Sequence, residues 1–263
     1  MFLHSVKGLD NFTVAAKDGD VGTVDDVYFD EEKWVIRYLV VDTGDWFIRR
    51  DVLISPISIR RNDWALRTMH ADLTRQQIRD SPSIDTAQPV SRRHEAELHR
   101  HYGYSYYWTG PYMWGEGVYP GILEERPFDE PGAGTDTVEH GESAKSAQSA
   151  AGHNADEHVP DNRHLFSCKD VMSYAIRTPD ESFGHVEDLL FDDDDWSVQF
   201  LVIDPRNWWP GKPVLVSPSL IDHISSEDRS VVMGITRDEL EHCPAYDSRN
   251  PPPSKPHRPR MHP

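Results

Sequence analysis

A duplicated, mainly β fold is predicted here by three features of the sequence: a gapless internal repeat, β-type patterning with turn residues in each copy, and a capping box that ends each copy. Sliding the chain against itself by 162 positions aligns residues 1–85 with 163–247, and 24 of these 85 positions are identical. Gly22 meets Gly184, Asp26 meets Asp188, Trp34 meets Trp196, and Ser55 and Pro56 meet Ser217 and Pro218. A unit of this length holds a core of its own, so the pattern predicts two copies of one domain rather than a solenoid.

Each element follows from local pattern. In residues 22–30, Val24, Asp26 and Tyr28 alternate with Asp25, Val27 and Phe29, which predicts a strand with two distinct faces. Residues 34–42 are rich in β-branched and aromatic side chains, as a buried strand should be. The acidic stretch 30–33, matched by Asp192 to Asp195, has the length and composition of a hairpin loop. Shorter strands are expected near 46–49, 52–55 and 65–69, with Pro56 and Pro218 at strand ends. Thr74 with Gln77, and Thr236 with Glu239, have capping-box spacing. Ile78 and Leu240 then supply an apolar contact, and Pro82 and Pro244 stop the helix. Short strands closed by one helix predict two small antiparallel β-barrels packed side by side.

The series Gly22, Val24, Asp26, Phe29, Asp30, then Leu39 to Asp42, Trp46 and Val52 to Pro56, resembles the PRC-barrel family. That family includes the cytoplasmic domain of the photosynthetic reaction-centre H subunit and the barrel of the ribosome maturation factor RimM. The resemblance covers both copies and implies an interaction or assembly module without a catalytic motif or cofactor. The chain departs from the H subunit in lacking an N-terminal membrane helix, and from the ribosomal factor in lacking a basic RNA-facing domain.

Composition sets outer bounds. The 263 residues carry a formal charge of −18, which disfavours a general binder of nucleic acid or anionic membranes. No apolar run approaches bilayer length, no signal peptide is evident, and two cysteines suit a reducing compartment, so a cytoplasmic protein is expected.

Outside the repeat, residues 86–162 form a linker. Residues 91–101 predict a short charged amphipathic helix. The window 101–120 holds six of the ten tyrosines and two of the eight tryptophans, interleaved with glycine and proline. Two readings stand for it: a cover over the seam between barrels, or a docking patch for a partner protein or a second copy. The expected contact residues are Tyr106, Tyr107, Trp108, Tyr112 and Trp114, with Trp46, Trp208 and Trp209 at matching barrel loops. Trp46 and Trp208 suit a core equally well. Residues 131–160 read as a flexible spacer, and 248–263 as a basic, proline-rich disordered tail with four cationic side chains and no anionic one.

Candidate chemistry is sparse. Asp192 to Asp195 lack the ligand spacing of an EF-hand and read as a solvated hairpin tip. Asp42 and Asp204, which end equivalent strands, read as carboxylates accepting turn N–H bonds. His94, His99 and His101 lack the spacing of a helical zinc site. Cys168 and Cys243 replace Val6 and Ser81 of the first copy and read as packing residues. No catalytic residue, metal or cofactor is expected. The leading expectation is a non-enzymatic module that binds a protein partner or itself. The alternatives are a peripheral accessory of a photosynthetic or electron-transfer complex and, less favoured, a ribosome or RNA maturation factor.

Overall fold

The computed structural model describes residues 3–44, 50–84, 90–121, 165–204 and 212–254. The strand expected near 46–49, Trp46, Trp208, Trp209, the spacer 131–160 and the end of the tail lie outside these residues. The first copy contains β1 (His4–Ser5), β2 (Thr13–Ala16), β3 (Gly19–Asp30), β4 (Val35–Asp42), β5 (Asp51–Ile54), β6 (Ile59–Asp63), β7 (Thr68–Ala71) and helix α1 (Arg75–Arg79). After helix α2 (Arg92–Tyr102), the second copy repeats the series. It holds β8 (Leu165–Ser167), a single helical turn α3 (Cys168–Val171), β9 (Ala175–Arg177), β10 (Ser182–Phe191), β11 (Val198–Asp204), β12 (Val214–Val216), β13 (Ile221–Ser225), β14 (Ser230–Met233) and α4 (Arg237–Glu241).

The two sheets have the same order, β5-β4-β3-β2-β7-β6 and β12-β11-β10-β9-β14-β13. Among the described residues the first and last strands of each order do not pair. The expectation of purely antiparallel barrels needs correction, because β2 pairs β7, and β9 pairs β14, in parallel. The reason lies at Pro56–Ser58 and Pro218–Leu220, single 3-10 turns at equivalent places. They carry the chain round a corner instead of reversing it, so four reversals separate β2 from β7. The strand anticipated at 65–69 is β7, and β6 was not foreseen.

Strict alternation in β3 also fails. The register slips between Val24 and Asp26, and at the equivalent Val186 and Asp188, so each site is a bulge. The bulge turns both Val24 and Val27 inward, where alternation had placed them on opposite faces. The core then runs unbroken through both copies: Val24, Val27, Leu39 and Val41 share one cluster with their counterparts Val186, Leu189, Leu201 and Ile203.

The larger correction concerns how the copies meet. They are not simply packed side by side. β3 is twelve residues long, but β2 covers only its first half, through pairs from Gly19 to Thr23. The remaining edge, Tyr28 to Asp30, is taken by β8 of the second copy. Reciprocally, β1 of the first copy pairs with Leu190 and Phe191 of β10. Each copy thus lends its first strand to the other's sheet, which removes an exposed edge from both.

Both expected terminal helices form as predicted, with Thr74–Gln77 and Thr236–Glu239 closing complete capping boxes. Gly22 is fixed by close approach: a Cβ there would lie 2.0 Å from the Asp42 carbonyl oxygen. We expect Gly22→Ala to force the β3–β4 pair apart and to cost about 3 kcal/mol, in the range of overpacked cores. A chemical-denaturation midpoint equal to wild type would contradict this packing.

Candidate functional site

The bulges place a carboxylate at each end of the strand exchange. Asp26 accepts the Ser167 hydroxyl at 2.6 Å and the Lys169 amide at 3.1 Å, both from the second copy. Asp188 accepts the Ser5 hydroxyl and the Lys7 amide, at 3.1 Å, from the first. Ser5 and Ser167, Lys7 and Lys169, and Asp26 and Asp188 are all identical pairs in the repeat alignment, so the seam has an approximate twofold axis. Burial pushes both carboxyl groups up from the usual aspartate range, and the hydroxyl and amide donors offset part of that cost.

A second reciprocal contact lies at the hairpins. The Ile36 amide donates to the Trp196 carbonyl at 2.9 Å, and the Val198 amide to the Trp34 carbonyl at 2.7 Å. Trp34 and Trp196 both have left-handed backbones, with φ of 55° and 62°, and their rings stack on Phe29 and Phe191. A non-glycine residue rarely adopts that conformation, and here the cross-copy backbone bonds hold it. Glu31 accepts from the Ile224 amide at 3.2 Å. Its counterpart Asp193 accepts from Trp64 Nε1 at 2.9 Å, and Trp64 in turn stacks on His4 with centroids 3.5 Å apart.

The acidic run 192–195 is therefore not the solvated tip that its composition suggested. Asp192 and Asp195 are buried. Asp192 accepts from the Asp194 amide and from Ser254, and Asp195 from the Ser197 amide. Asp42 accepts the Gly44 amide at 2.8 Å, the turn bond expected of it. Asp204 ends β11, and the turn after it lies outside the described residues.

The aromatic segment covers the first copy and reaches the second. Lys33, in the β3–β4 turn, donates through Nζ to the carbonyls of Gly110 and Tyr112, at 3.3 and 2.7 Å. Trp114 donates through Nε1 to the Asp195 carbonyl of the second copy at 2.8 Å. Beneath the segment, the fully buried Arg37 guanidinium pairs with Asp30, donates to the Met113 carbonyl at 2.6 Å, and lies 3.8 Å from the Tyr107 ring centroid. Glu95, buried on α2, accepts from Tyr107 at 2.5 Å and Tyr38 at 3.1 Å, and pairs with Arg92 at 3.2 Å.

His99 completes the network, with ring nitrogens 2.9 Å from the Ser105 carbonyl and 3.0 Å from the Tyr38 hydroxyl. Burial pulls its pKa down to about 4. His94, His99 and His101 do not converge: His101 bonds the Gln77 carbonyl at 2.7 Å, and both nitrogens of His99 are engaged. Cys168 is fully buried in the shared core, where its thiol pKa is pushed well up, as befits a packing residue.

These positions revise the expected contact surface. Tyr107 and Trp114 are buried and serve as internal anchors. Tyr106 and Trp108 are half-buried and stacked, with centroids 4.7 Å apart, while Tyr112 is exposed. Of the two readings of the segment, covering the seam describes its anchors, and only its outward rings remain available to a partner. Arg37, Glu95 and the two seam serines were not singled out from the sequence. The serines were nonetheless readable as repeat identities, whereas Arg37 and Glu95 lack identical counterparts.

A groove of about 480 Å³ opens at the seam, floored by Val6, Val24, Val27 and Met172 and rimmed by Lys7, Asp10, Asp25 and Lys169. Two of its ions pair with each other, Lys169 with Asp25 at 2.7 Å, while Lys7 reaches out to Glu187 at 3.9 Å, and Asp10 and Asp26 also line it.

Two predictions arise from these contacts. Ser5→Ala and Ser167→Ala should each cost about 1–2 kcal/mol, since each leaves a seam carboxylate, Asp188 buried and Asp26 half-buried, short of one donor. Equal unfolding midpoints for wild type and both variants would refute the carboxylate's place at the seam. For His99, the folded pKa lies below the ordinary 6.5, so the unfolded chain takes up the proton first as pH falls. Its contribution is therefore complete above pH 6.5 and is lost toward pH 4, by an amount of order 3 kcal/mol. Urea titrations of wild type and His99→Gln at pH 7 and 4.5 should show a steeper loss in wild type; parallel losses would contradict a neutral buried imidazole.

Comparison with known families agrees with this architecture. Residues 1–69 match the model of the PRC-barrel domain. No match to a curated protein is found for the chain. Among the described residues no helix is long and apolar enough to cross a membrane. Residues 1–69 are thus a PRC-barrel domain, and residues 165–241 fold with the same strand order into a second copy that completes it.

Proposed function

We propose that this protein is a non-enzymatic interaction and assembly module, in which two PRC-type copies form one rigid body that displays an aromatic surface to a protein partner. The observation that carries this reading is the anchoring of residues 104–114. Tyr107 and Trp114 are held from within, while the rings of Tyr106, Trp108 and Tyr112 face outward to differing extents. Tyrosine and tryptophan fixed in this way offer large contact area with little side-chain entropy left to lose on binding. Arg92 lies over Trp108, with its guanidinium carbon 4.5 Å from the ring centroid, and restrains it further.

The buried and half-buried ionisable groups support the same reading. Asp26 and Asp188 join the copies, Arg37 and Glu95 anchor the aromatic segment, and His99 lies between two oxygen partners with its charged form disfavoured by burial. Each has a structural partner within hydrogen-bond distance. A partner protein or a second copy fits the surface better than a nucleic acid does, because the net charge of −18 opposes phosphate.

The test compares wild type with a Trp108→Ser, Tyr112→Ser double variant by light scattering after size exclusion and by affinity capture from the native host. Tyr112→Ser alone should keep the melting temperature within a few degrees, because that ring is exposed, whereas Trp108 packs partly against the core and its loss should lower it; measured below that temperature, the double variant should lose the wild-type mass or the captured protein. Unchanged mass together with an unchanged capture profile would defeat the proposal. Trp114→Ser serves as the contrast, since removing a buried anchor should cost about 3 kcal/mol or more in stability.

A further inference from the structure

The repeat offers an internal comparison of equivalent outer faces. On the first copy, Tyr28, Tyr38, Val40 and Leu53 form an apolar cluster with Leu165, and α2 covers it with Leu98 and Tyr102 beside Val90. At the same positions of the second copy stand Leu190, Phe200, Val202 and Leu215, joined by Leu3, the counterpart of Leu165. No helix lies on this cluster among the described residues. Its cover includes Tyr246 and the extended C-terminal segment, held through the Pro252 carbonyl, which accepts the Leu3 amide at 3.3 Å, and through Ser254, which bonds Asp192.

We propose that this outer face of the second copy is a docking site for a cationic amphipathic helix of a partner protein, and that Tyr246 and residues 251–254 of the chain itself hold the site closed. The fold shows what such a face accepts, because the equivalent face already holds an eleven-residue helix capped by Ser91 and Gly103. Charge specifies the partner further. Residues 161–247 carry 7 cationic and 18 anionic side chains, a net −11, whereas the covering residues 251–254 carry no charge. A displacing helix that is cationic gains a complementarity that this segment lacks.

The substitutions at the face define the helix's inner side. Glu95 and His99 of α2 both lie against the Tyr38 hydroxyl, 3.1 and 3.0 Å away, whose single proton serves one of them at a time. Phe200 replaces Tyr38 in the second copy, and Gln199 replaces Arg37. A helix docked there finds no hydroxyl at the position of Tyr38 for a buried acid or imidazole, so it carries apolar residues at those two positions. This site is separate from the aromatic surface, and its failure would leave that reading untouched.

The probe is a fluorescent peptide of residues 89–104 carrying Glu95→Leu and His99→Leu, titrated against the full-length chain by anisotropy. Replacing Pro251, Pro252 and Pro253 by glycine loosens the covering segment by raising its entropy when released, and should tighten binding about tenfold over wild type. Phe200→Glu in that variant should abolish binding, and the peptide of natural sequence should bind at least tenfold more weakly. Hydrogen exchange gives a second readout: the Leu3 amide should lose protection when the modified peptide binds wild type. No binding to the glycine variant, equal affinity for it and wild type, or binding that survives Phe200→Glu would overturn the proposal.

Discussion

A long strand beside a short one leaves half an edge without partners, and most of this architecture is the answer to that constraint. β3 extends well past β2, and β10 past β9. The uncovered halves are filled crosswise by β8 and β1, so neither sheet is complete without the other copy. An unpaired edge in an isolated barrel would be a template for aggregation. Duplication within one chain supplies the missing strand at high effective concentration, and the pairing becomes intramolecular. The bulges at Asp26 and Asp188 belong to the same solution, because they aim a carboxylate at the serine that ends each exchanged strand.

The repeat explains why so much of the fold was legible. Alignment of 1–85 with 163–247 paired the elements of the two copies, and the capping boxes at Thr74 and Thr236 marked where both helices begin. What stayed hidden was whatever depends on a partner distant in sequence. A strand as short as His4–Ser5 has no periodicity to detect, and its place beside Phe191 is settled only by tertiary pairing. The run 192–195 reads as solvated by composition, yet the twofold contact buries Asp192 and Asp195. The bulge misled the alternation rule at one point, since a single extra residue exchanges inside and outside for everything beyond it.

The aromatic segment was legible as adhesive and illegible as to what it would adhere to. Its composition is the same whether it covers a seam or meets a partner. The distinction lies in Arg37, whose neighbours in sequence mark it only as an interruption in an apolar strand. Once Arg37 is buried against Asp30, its Nη1 donates to the Met113 carbonyl of the linker and the Tyr107 ring packs on the guanidinium face. Gln199 at the equivalent position makes no such demand, and the two copies are covered differently from there on.

That difference bears on how one fold came to hold two unlike covers. Buried ionic and polar networks contribute little to net stability compared with an apolar core of the same volume, because desolvation offsets most of the attraction. They do penalise every alternative arrangement, since a shifted segment would leave Arg37 or Glu95 buried without a partner. On the first copy the network therefore fixes α2 and the aromatic segment in one register. On the second copy Leu190, Phe200, Val202 and Leu215 attract any apolar cover without dictating which. Non-directional burial of that kind is satisfied by an extended proline-rich strand or by a helix of suitable face. The same scaffold thus carries one cover that is specified and one that is exchangeable, and the change from Tyr38 to Phe200 is enough to separate them.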